Sequence, residues 1–139
     1  MRGLLADVNV QGHLGYVRRR LETAGFWPVF VELQLDLTTF GRVGLPENGD
    51  DRQVWTFCQE RGWTLLTENR NDDGNDSLQA TIAGSWRMGC LPVLTLADKT
   101  KFEWNRDYAQ RVVNGIAEVL FGIATEGRYC DQPRIYLPL

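Results

Sequence analysis

The sequence predicts an α/β domain in which a mostly parallel sheet lies between two layers of helices. Three observations lead to this fold class. Strand-like and helix-like segments alternate along the chain, the first strand-like segment is apolar without interruption, and no repeat or low-complexity tract breaks the pattern. Such alternation favours parallel strands joined by crossover helices, and a continuous apolar run is typical of a strand covered on both faces. The expected architecture is a three-layer α/β/α sandwich formed by a single domain, residues 1–139.

The first part of the chain predicts two strands and a helix. Residues 2–8 form the first strand, because the centre of this segment is continuously apolar. Residues 12–24 form a helix, since leucine and valine recur there at helical spacing before a glycine that can end it. Residues 26–33 are aromatic and β-branched and predict a second strand, with Pro28 at its beginning or at a sheet edge. The glycine-containing residues 34–48 are predicted to be a loop.

The middle of the chain predicts a helix over residues 49–61, whose apolar side chains share one face. A third strand follows from Thr64 and is buried, because Leu65 and Leu66 are consecutive apolar residues. A short helix is expected over residues 77–83, and a fourth strand over residues 91–96. These elements continue the strand and helix alternation that a parallel sheet requires.

The last part of the chain predicts a loop, the longest helix and a final strand. Residues 97–104 are expected to be a loop that carries two lysines. Residues 105–123 have an apolar stripe at helical spacing, and Asn105 is a suitable residue to cap the helix. Residues 134–137 are expected to add a short strand.

Charge and composition narrow the functional classes. The net charge of −3 gives no general basic surface, so any contact with nucleic acid must come from a local patch. No apolar run approaches the roughly 18 residues of a membrane helix, and Asp7 interrupts the apolar start of the chain, which indicates a cytoplasmic protein without a membrane partner. The three cysteines form no CxxC pair, so buried reduced thiols are expected rather than disulfides or a zinc site.

Acidic and amide side chains follow two strands that the predicted fold places at one edge of the sheet. Asp7 and Asn9 follow the first strand, and Asp51 lies at the start of a helix whose amino end faces the same edge. A dense polar run follows the third strand: Glu68, Asn69, Asn71, Asp72, Asp73 and Asp76. Carboxylates gathered in one crevice favour a hard cation such as Mg²⁺, which usually takes one or two carboxylates together with waters and substrate phosphates. Such a site suits metal-assisted phosphodiester hydrolysis.

These residues resemble motifs of the PIN-like nucleases, in particular the small bacterial PIN-like proteins found as toxins. The resemblance extends from Leu4 to about Leu120. Asp7-Val8-Asn9 is similar to the Asp-x-Asn element after the first strand of the family, and Asp51 with Val54 is similar to its acidic step followed by an apolar residue. From Thr67 onward, a strand ends in a threonine and closely spaced polar residues, although Asn69 and Asn71 stand where the family commonly has aspartates.

The resemblance implies a PIN-like fold and a ribonuclease that uses Mg²⁺ or Mn²⁺, with RNA as its substrate. The implied metal ligands, which are also the implied catalytic residues, are Asp7, Asp51 and Asp76. The implied substrate-binding residues are Asn9, Asn69, Arg70 and Asn71. The protein would then be the toxin of a toxin and antitoxin pair. Whether an antitoxin protein or a second copy of the chain binds stays open.

Structural explanations compete for several of these residues. Asp50 with Gln53 matches a capping box, so either Asp50 or Asp51 could serve only to start a helix. Asp76 with Gln79 shows the same pattern. Asp7 is the strongest functional candidate, because aspartate is disfavoured in strands and a carboxylate at the end of an apolar run needs a partner.

Two other functions are open on the sequence alone. The first is a catalytically silent PIN-like module that binds RNA or a protein, which the amides Asn69 and Asn71 and the acidic net charge favour. The second is a phosphatase-type hydrolase on another parallel sheet, with Asp7 as the nucleophile. Lone His13 is expected to be a loop residue rather than a metal ligand, since no second histidine exists and no cysteine is near it in sequence.

Overall fold

The computed structural model describes residues 1–68 and 77–139. Five parallel strands form one sheet. The strands are β1 (Gly3–Ala6), β2 (Asp36–Thr39), β3 (Trp63–Glu68), β4 (Val93–Leu96) and β5 (Arg134–Leu137). The helices are a 3-10 helix (Val8–His13), α1 (Leu14–Thr23), α2 (Trp27–Glu32), α3 (Phe40–Val43), α4 (Asp51–Arg61), α5 (Leu78–Ser85), α6 (Lys99–Trp104) and α7 (Arg106–Glu126).

The strand order is β2-β1-β3-β4-β5, so the chain reverses direction across the sheet between β1 and β3. The registers Leu4↔Leu37 and Ala6↔Leu66 place β1 between β2 and β3. This is a doubly wound order, and it places the carboxyl ends of all five strands at one edge of the sheet. The predicted α/β class and parallel sheet are confirmed.

Helices cover both faces of the sheet because the apolar residues of the strands alternate between two cores. Leu4 and Leu66 lie in the larger core, which contains the buried residues of α1, α2, α6 and α7. Leu5 and Leu65 lie in the smaller core, together with residues of α3, α4 and α5. Successive side chains of a strand point to opposite faces, so buried strands of this kind are apolar at almost every position.

The predicted second strand over residues 26–33 is wrong. This segment forms α2 instead. The predicted loop over residues 34–48 is also wrong, because it contains the strand β2 and the helix α3. Pro28 occupies the first turn of α2, where the missing N–H has no intrahelical partner in any case. Phe30 of this helix is completely buried, so tertiary packing overrides the β-propensity of the aromatic and β-branched residues.

The predicted loop over residues 97–104 is also wrong, because most of it forms α6. Asp98 caps this helix by accepting a hydrogen bond from the backbone N–H of Lys101 at 3.0 Å. Phe102 anchors the helix, since its side chain is completely buried in the larger core. Over the residues that the structure describes, no helix is both long and apolar enough to cross a bilayer.

The other helices and strands agree with their predictions to within a few residues at their ends. The helix predicted over residues 49–61 is α4, and Asp50 is its N-cap, accepting a hydrogen bond from the N–H of Gln53 at 2.7 Å. Asn105 caps α7 in the same way through the N–H of Tyr108 at 3.0 Å. The helix predicted over residues 12–24 begins with a 3-10 turn before α1.

Candidate functional site

The strand order creates a crevice at the carboxyl ends of β1 and β3. The chain leaves β1 toward α1 on the larger-core face, whereas α5, the first helix described after β3, lies on the opposite face. Adjacent connections that leave toward opposite faces separate from each other, and ligands bind at this position in open parallel sheets. The residues that end β1 and β3 are therefore the first place to look for a site.

Asp7 lies at this crevice, and hydrogen bonds hold both its backbone and its side chain. Its backbone N–H donates to the carbonyl of Leu66 at 2.9 Å, and its own carbonyl accepts from the N–H of Val10 at 2.9 Å. Its carboxylate Oδ2 accepts from the hydroxyl of Thr67 at 3.0 Å. Thr67 is completely buried and Asp7 is half-buried. The strand end and the buried hydroxyl thus fix the position of a carboxylate that still reaches solvent.

The register of β1 and β3 explains why Thr67 meets Asp7. Ala6 is paired with Leu66, so Asp7 and Thr67, which follow them, are adjacent. Both point to the same face of the sheet as Leu5 and Leu65. Both polar side chains therefore point to the face that carries α4. A threonine at an otherwise apolar strand end is the sequence signal for this contact, and it was not assigned to Asp7 on the sequence alone.

If Asp7 holds a metal ion, as the sequence predicts, Thr67→Val is expected to weaken Mn²⁺ binding by about 10-fold, because partners that orient a ligand typically contribute 10- to 100-fold to metal affinity or activity. The variant keeps the volume of the buried side chain and removes one hydrogen bond, so the protein is expected to stay folded. Calorimetric titration of Mn²⁺ measures the change. Thr64→Val is the matched control, because Thr64 is equally buried in β3 but lies at the far end of the strand. Equal weakening in both variants would contradict a specific role of the Thr67 hydroxyl.

Asp51 lies at the same edge of the sheet as Asp7. The N-cap of α4 is Asp50, so Asp51 is the first helical residue and is not needed as the cap. The other end of α4 lies at the opposite edge, where the carbonyl of Gly62 accepts a hydrogen bond from the N–H of Arg2 at 2.7 Å. A helix of 11 residues spans about 16 Å, so its first turn returns to the carboxyl ends of the strands. Asp7 and Asp51 therefore share both an edge and a face of the sheet.

Cys58 shows that α4 packs close to Asp7. Burial and, secondarily, the negative charge of Asp7 raise the pKa of the Cys58 thiol to about 12. The thiol therefore stays protonated at neutral pH, so Cys58 is a poor nucleophile. Cys58 agrees with the prediction of buried reduced thiols, whereas Cys90 and Cys130 are free thiols that are only partly buried.

Glu68 points away from Asp7, although it follows Thr67 directly. It alternates with Thr67 along β3 and therefore faces the larger core side, where α6 lies. Its Oε2 lies 3.4 Å from Lys99 Nζ, and the same Lys99 ammonium donates to the backbone carbonyl of Asn9 at 3.1 Å. Lys99 thus connects the carboxyl end of β3 to the 3-10 helix after β1.

The predicted site residues fall into three groups. Asp7 and Asp51 are brought to one face of the crevice, and Asn9 lies beside it with its backbone carbonyl engaged by Lys99. The predictions for Asn69, Arg70, Asn71 and Asp76 lie outside the described residues. Within residues 1–68 and 77–139, no three histidine, cysteine, aspartate or glutamate side chains form a metal-binding group.

His13 is tied to α6 rather than placed in the crevice. Its Nε2 lies 2.8 Å from Glu103 Oε1, and its ring packs against Phe102 with a centroid separation of 5.9 Å. His13 is the last residue of the 3-10 helix, so the prediction that it is a loop residue is wrong. Together with Lys99, it fixes α6 against the segment that follows Asp7.

Arg134 forms a second polar group on the smaller-core face. Its Nε donates to the hydroxyl of Thr95 at 2.9 Å, and its Nη1 donates to Gln79 Oε1 of α5 at 3.0 Å. Thr95 is completely buried and pairs with Thr67 in the sheet. These bonds join β4, β5 and α5, and they give Arg134 a structural role in holding α5 over the sheet.

Comparisons with known protein families, with curated proteins and with solved structures returned no match.

Proposed function

We propose that the protein is a metal-dependent ribonuclease of the PIN-like type, with Asp7 as its central metal ligand. The observation that carries the proposal is the position of Asp7, whose carboxylate is fixed by Thr67 at the crevice between β1 and β3. The first turn of α4 supplies Asp51 at the same edge and face. Asp76, which the resemblance to PIN-like proteins adds as a third ligand, completes the proposed set.

The oxygen donors at this position fit a hard divalent cation. Mg²⁺ is usually bound by one or two protein carboxylates, and waters and substrate phosphates supply the remaining ligands. Asp7 and Asp51 meet that requirement without Asp76. The hydroxyl of Thr67 donates to Oδ2 of Asp7 and so orients the carboxylate that the proposal assigns to the ion.

The residues around the crevice have different proposed roles in phosphodiester hydrolysis. Bound Mg²⁺ or Mn²⁺ would polarise the scissile phosphate and lower the pKa of an attacking water. Thr67 holds the Asp7 carboxylate in place, and the buried strands exclude water from behind it. Lys99 lies at the crevice beside Asn9 and is paired with Glu68, so a phosphate backbone would compete with that carboxylate for the ammonium. Asn9 lies beside the crevice, and the resemblance to PIN-like proteins adds Asn69, Arg70 and Asn71 as further proposed substrate contacts.

Asp51→Asn is expected to lower Mn²⁺-dependent cleavage of a labelled single-stranded RNA by at least about 10-fold, because it removes a charged ligand while it keeps the side-chain shape. Asp50→Asn is the matched control. Asparagine caps helices as well as aspartate does, so this neighbour is expected to retain wild-type cleavage and stability. Cleavage that falls equally in both variants, or in neither, would contradict a metal-binding role of Asp51. A chelator added to the wild-type reaction tests the dependence on metal.

A catalytically silent PIN-like module that binds RNA is the second candidate. The contact between Glu68 and Lys99 favours it, because that ion pair takes one carboxylate of the crevice away from the Asp7 face. Binding of single-stranded RNA without cleavage in either Mg²⁺ or Mn²⁺ would establish this function over the first. The resemblance to bacterial toxins adds the proposal that an antitoxin protein inhibits the protein in either case.

A further inference from the structure

The most exposed large apolar side chain among the described residues belongs to Trp104, at the end of α6. Its exposed fraction is 83%, whereas the buried Trp55 and Trp63 lie in the smaller core and Trp27 stacks on Phe30. An indole exposed to this degree gains nothing from the core. A single exposed aromatic ring is common on protein surfaces, so its neighbours decide whether it has a binding role.

The packing of α6 holds Trp104 outward. Phe102 is completely buried and contacts Tyr16 with ring centroids 5.3 Å apart. Trp104 is two positions further along the helix, about 200° around the axis, so it points away from the core. The contact of His13 with Glu103 at 2.8 Å further fixes the orientation of α6. Trp104 is therefore presented on a short helix whose orientation is set by its neighbours.

Lys101 on α6 connects the surface around Trp104 to an aromatic ring and a second cation on α7. Lys101 precedes it by three residues and is its neighbour on the helix surface. The Lys101 ammonium lies 5.9 Å from the centre of the Tyr108 ring, and the Arg111 guanidinium lies 6.0 Å from the same centre. Neither cation has a carboxylate within ion-pair distance in the part of the chain that the structure describes. We call Lys101, Trp104, Tyr108 and Arg111 the Trp104 platform.

We propose that the Trp104 platform binds a single-stranded nucleic acid, with a base stacked on Trp104 and backbone phosphates on Lys101 and Arg111. An exposed aromatic ring beside cations is an arrangement that proteins use for unpaired bases, because every base has a π face. Trp104 supplies that ring, whereas Tyr108 is half-buried against the larger core. A protein interface would add further apolar side chains, but the exposed neighbours Glu103, Asn105, Arg106 and Asp107 are all polar. Glu103 is engaged by His13, and Asp107 is the acidic group that remains beside the cations.

The position of the platform relative to Lys99 supports this ligand. Lys99 lies at the crevice through its contacts with Asn9 and Glu68, and Trp104 is five residues away on the same helix, a rise of about 8 Å. That rise is the length of about two stacked nucleotides. Lys99 and Trp104 are about 140° apart around the helix axis, so a strand with a phosphate at the crevice would reach Trp104 by crossing the surface of α6. The choice of nucleic acid as ligand rests on the proposed function, whereas the platform itself rests on the surface of α6 and α7.

The test is the affinity for labelled oligouridylate, measured by fluorescence anisotropy in excess chelator so that cleavage cannot occur. Trp104→Ala and Trp104→Leu are expected to weaken binding by about 5- to 100-fold, because both remove the stacking surface. Trp104→Phe is expected to retain most of the affinity, since it keeps a π face. The wild-type tryptophan emission is expected to be quenched by the oligonucleotide, and Trp104→Phe to lose that quenching.

Met88→Ala is the control for loss of an exposed apolar side chain, because Met88 is 73% exposed and lies before β4, at the opposite edge of the sheet. Equal affinity of wild type and Trp104→Ala would overturn the proposal, as would a wild type that binds no oligouridylate. A Trp104→Ala variant that binds normally but dissociates a dimer in sedimentation would assign the platform to a second copy of the chain instead. Absence of cleavage in Mn²⁺ would contradict only the nuclease function, since the binding assay contains no metal.

Discussion

Asp7→Asn is expected to lower Mn²⁺-dependent RNA cleavage by at least about 100-fold and to abolish calorimetric binding of Mn²⁺. Even residues that only orient metal ligands contribute 10- to 100-fold, so loss of the central carboxylate should exceed that range. The fold should be retained, because the asparagine carbonyl can still accept the hydrogen bond that Thr67 donates at 3.0 Å. Circular dichroism of the variant, compared with that of the wild type, separates a lost ligand from a lost structure.

Asp131→Asn is the control for the change in net charge. Asp131 is exposed and precedes β5, so it lies at the edge of the sheet opposite the crevice. Normal Mn²⁺ binding and cleavage are expected for this variant. Undiminished cleavage in Asp7→Asn would contradict the nuclease proposal, and Mn²⁺ binding that persists in it would place the metal elsewhere.

The position of Asp7 could be predicted from the sequence because it depends on two simple rules. An apolar run of strand length ends at Asp7, and parallel strands end at one edge of their sheet. The prediction that Glu68 lies in one group with Asp7 was wrong, and the alternation of side chains along a strand could have excluded it. Side chains alternate along a strand, so Thr67 and Glu68 cannot both point toward Asp7. The hydrogen bond of Thr67 and the ion pair of Glu68 with Lys99 show which face each takes.

The second strand was misplaced because local propensity and tertiary packing disagree over residues 26–33. The aromatic and β-branched residues favour a strand, but Phe30 packs between Trp27 and Phe121 in the larger core as part of a helix. The true strand β2 has only four residues and little sequence signal. Its place is set by pairing with β1, where the N–H of Asp36 donates to the carbonyl of Arg2 at 2.9 Å. Long-range contacts of this kind cannot be obtained from one sequence by pattern alone.

The helix α6 was missed for a different reason. It has six residues, too few for an apolar stripe to be recognised, and its stability comes from the Asp98 cap and the burial of Phe102. When residues 97–104 were predicted to be a loop, no direction could be assigned to the side chains of their lysines. As a helix, the segment directs Lys99 to the crevice and Trp104 to solvent, and the proposal for the Trp104 platform follows from that difference.

Gly3→Ala is expected to lower the free energy of unfolding by roughly 2–6 kcal/mol, the largest effect on stability that we expect from a single methyl group. Gly3 has a φ of +143°, a conformation that side chains other than glycine rarely adopt. A Cβ at this position would overlap the carbonyl oxygen of Asp36 and lie 2.6 Å from its amide nitrogen. Both atoms belong to the backbone of β2, which is hydrogen-bonded to β1 and cannot move aside without losing that pairing.

Urea unfolding of Gly3→Ala beside Gly12→Ala separates steric conflict from the general effect of replacing a glycine. A Cβ on Gly12 would have no atom within 4 Å, so this control is expected to stay within about 0.5 kcal/mol of the wild type. A Gly3→Ala variant with the wild-type midpoint would mean that β2 does not approach β1 as closely as the structure shows. Because β1 also carries Asp7 at its other end, partial loss of the β1 and β2 pairing should lower Mn²⁺ affinity together with stability. Asp7→Asn, in contrast, should lower only the affinity.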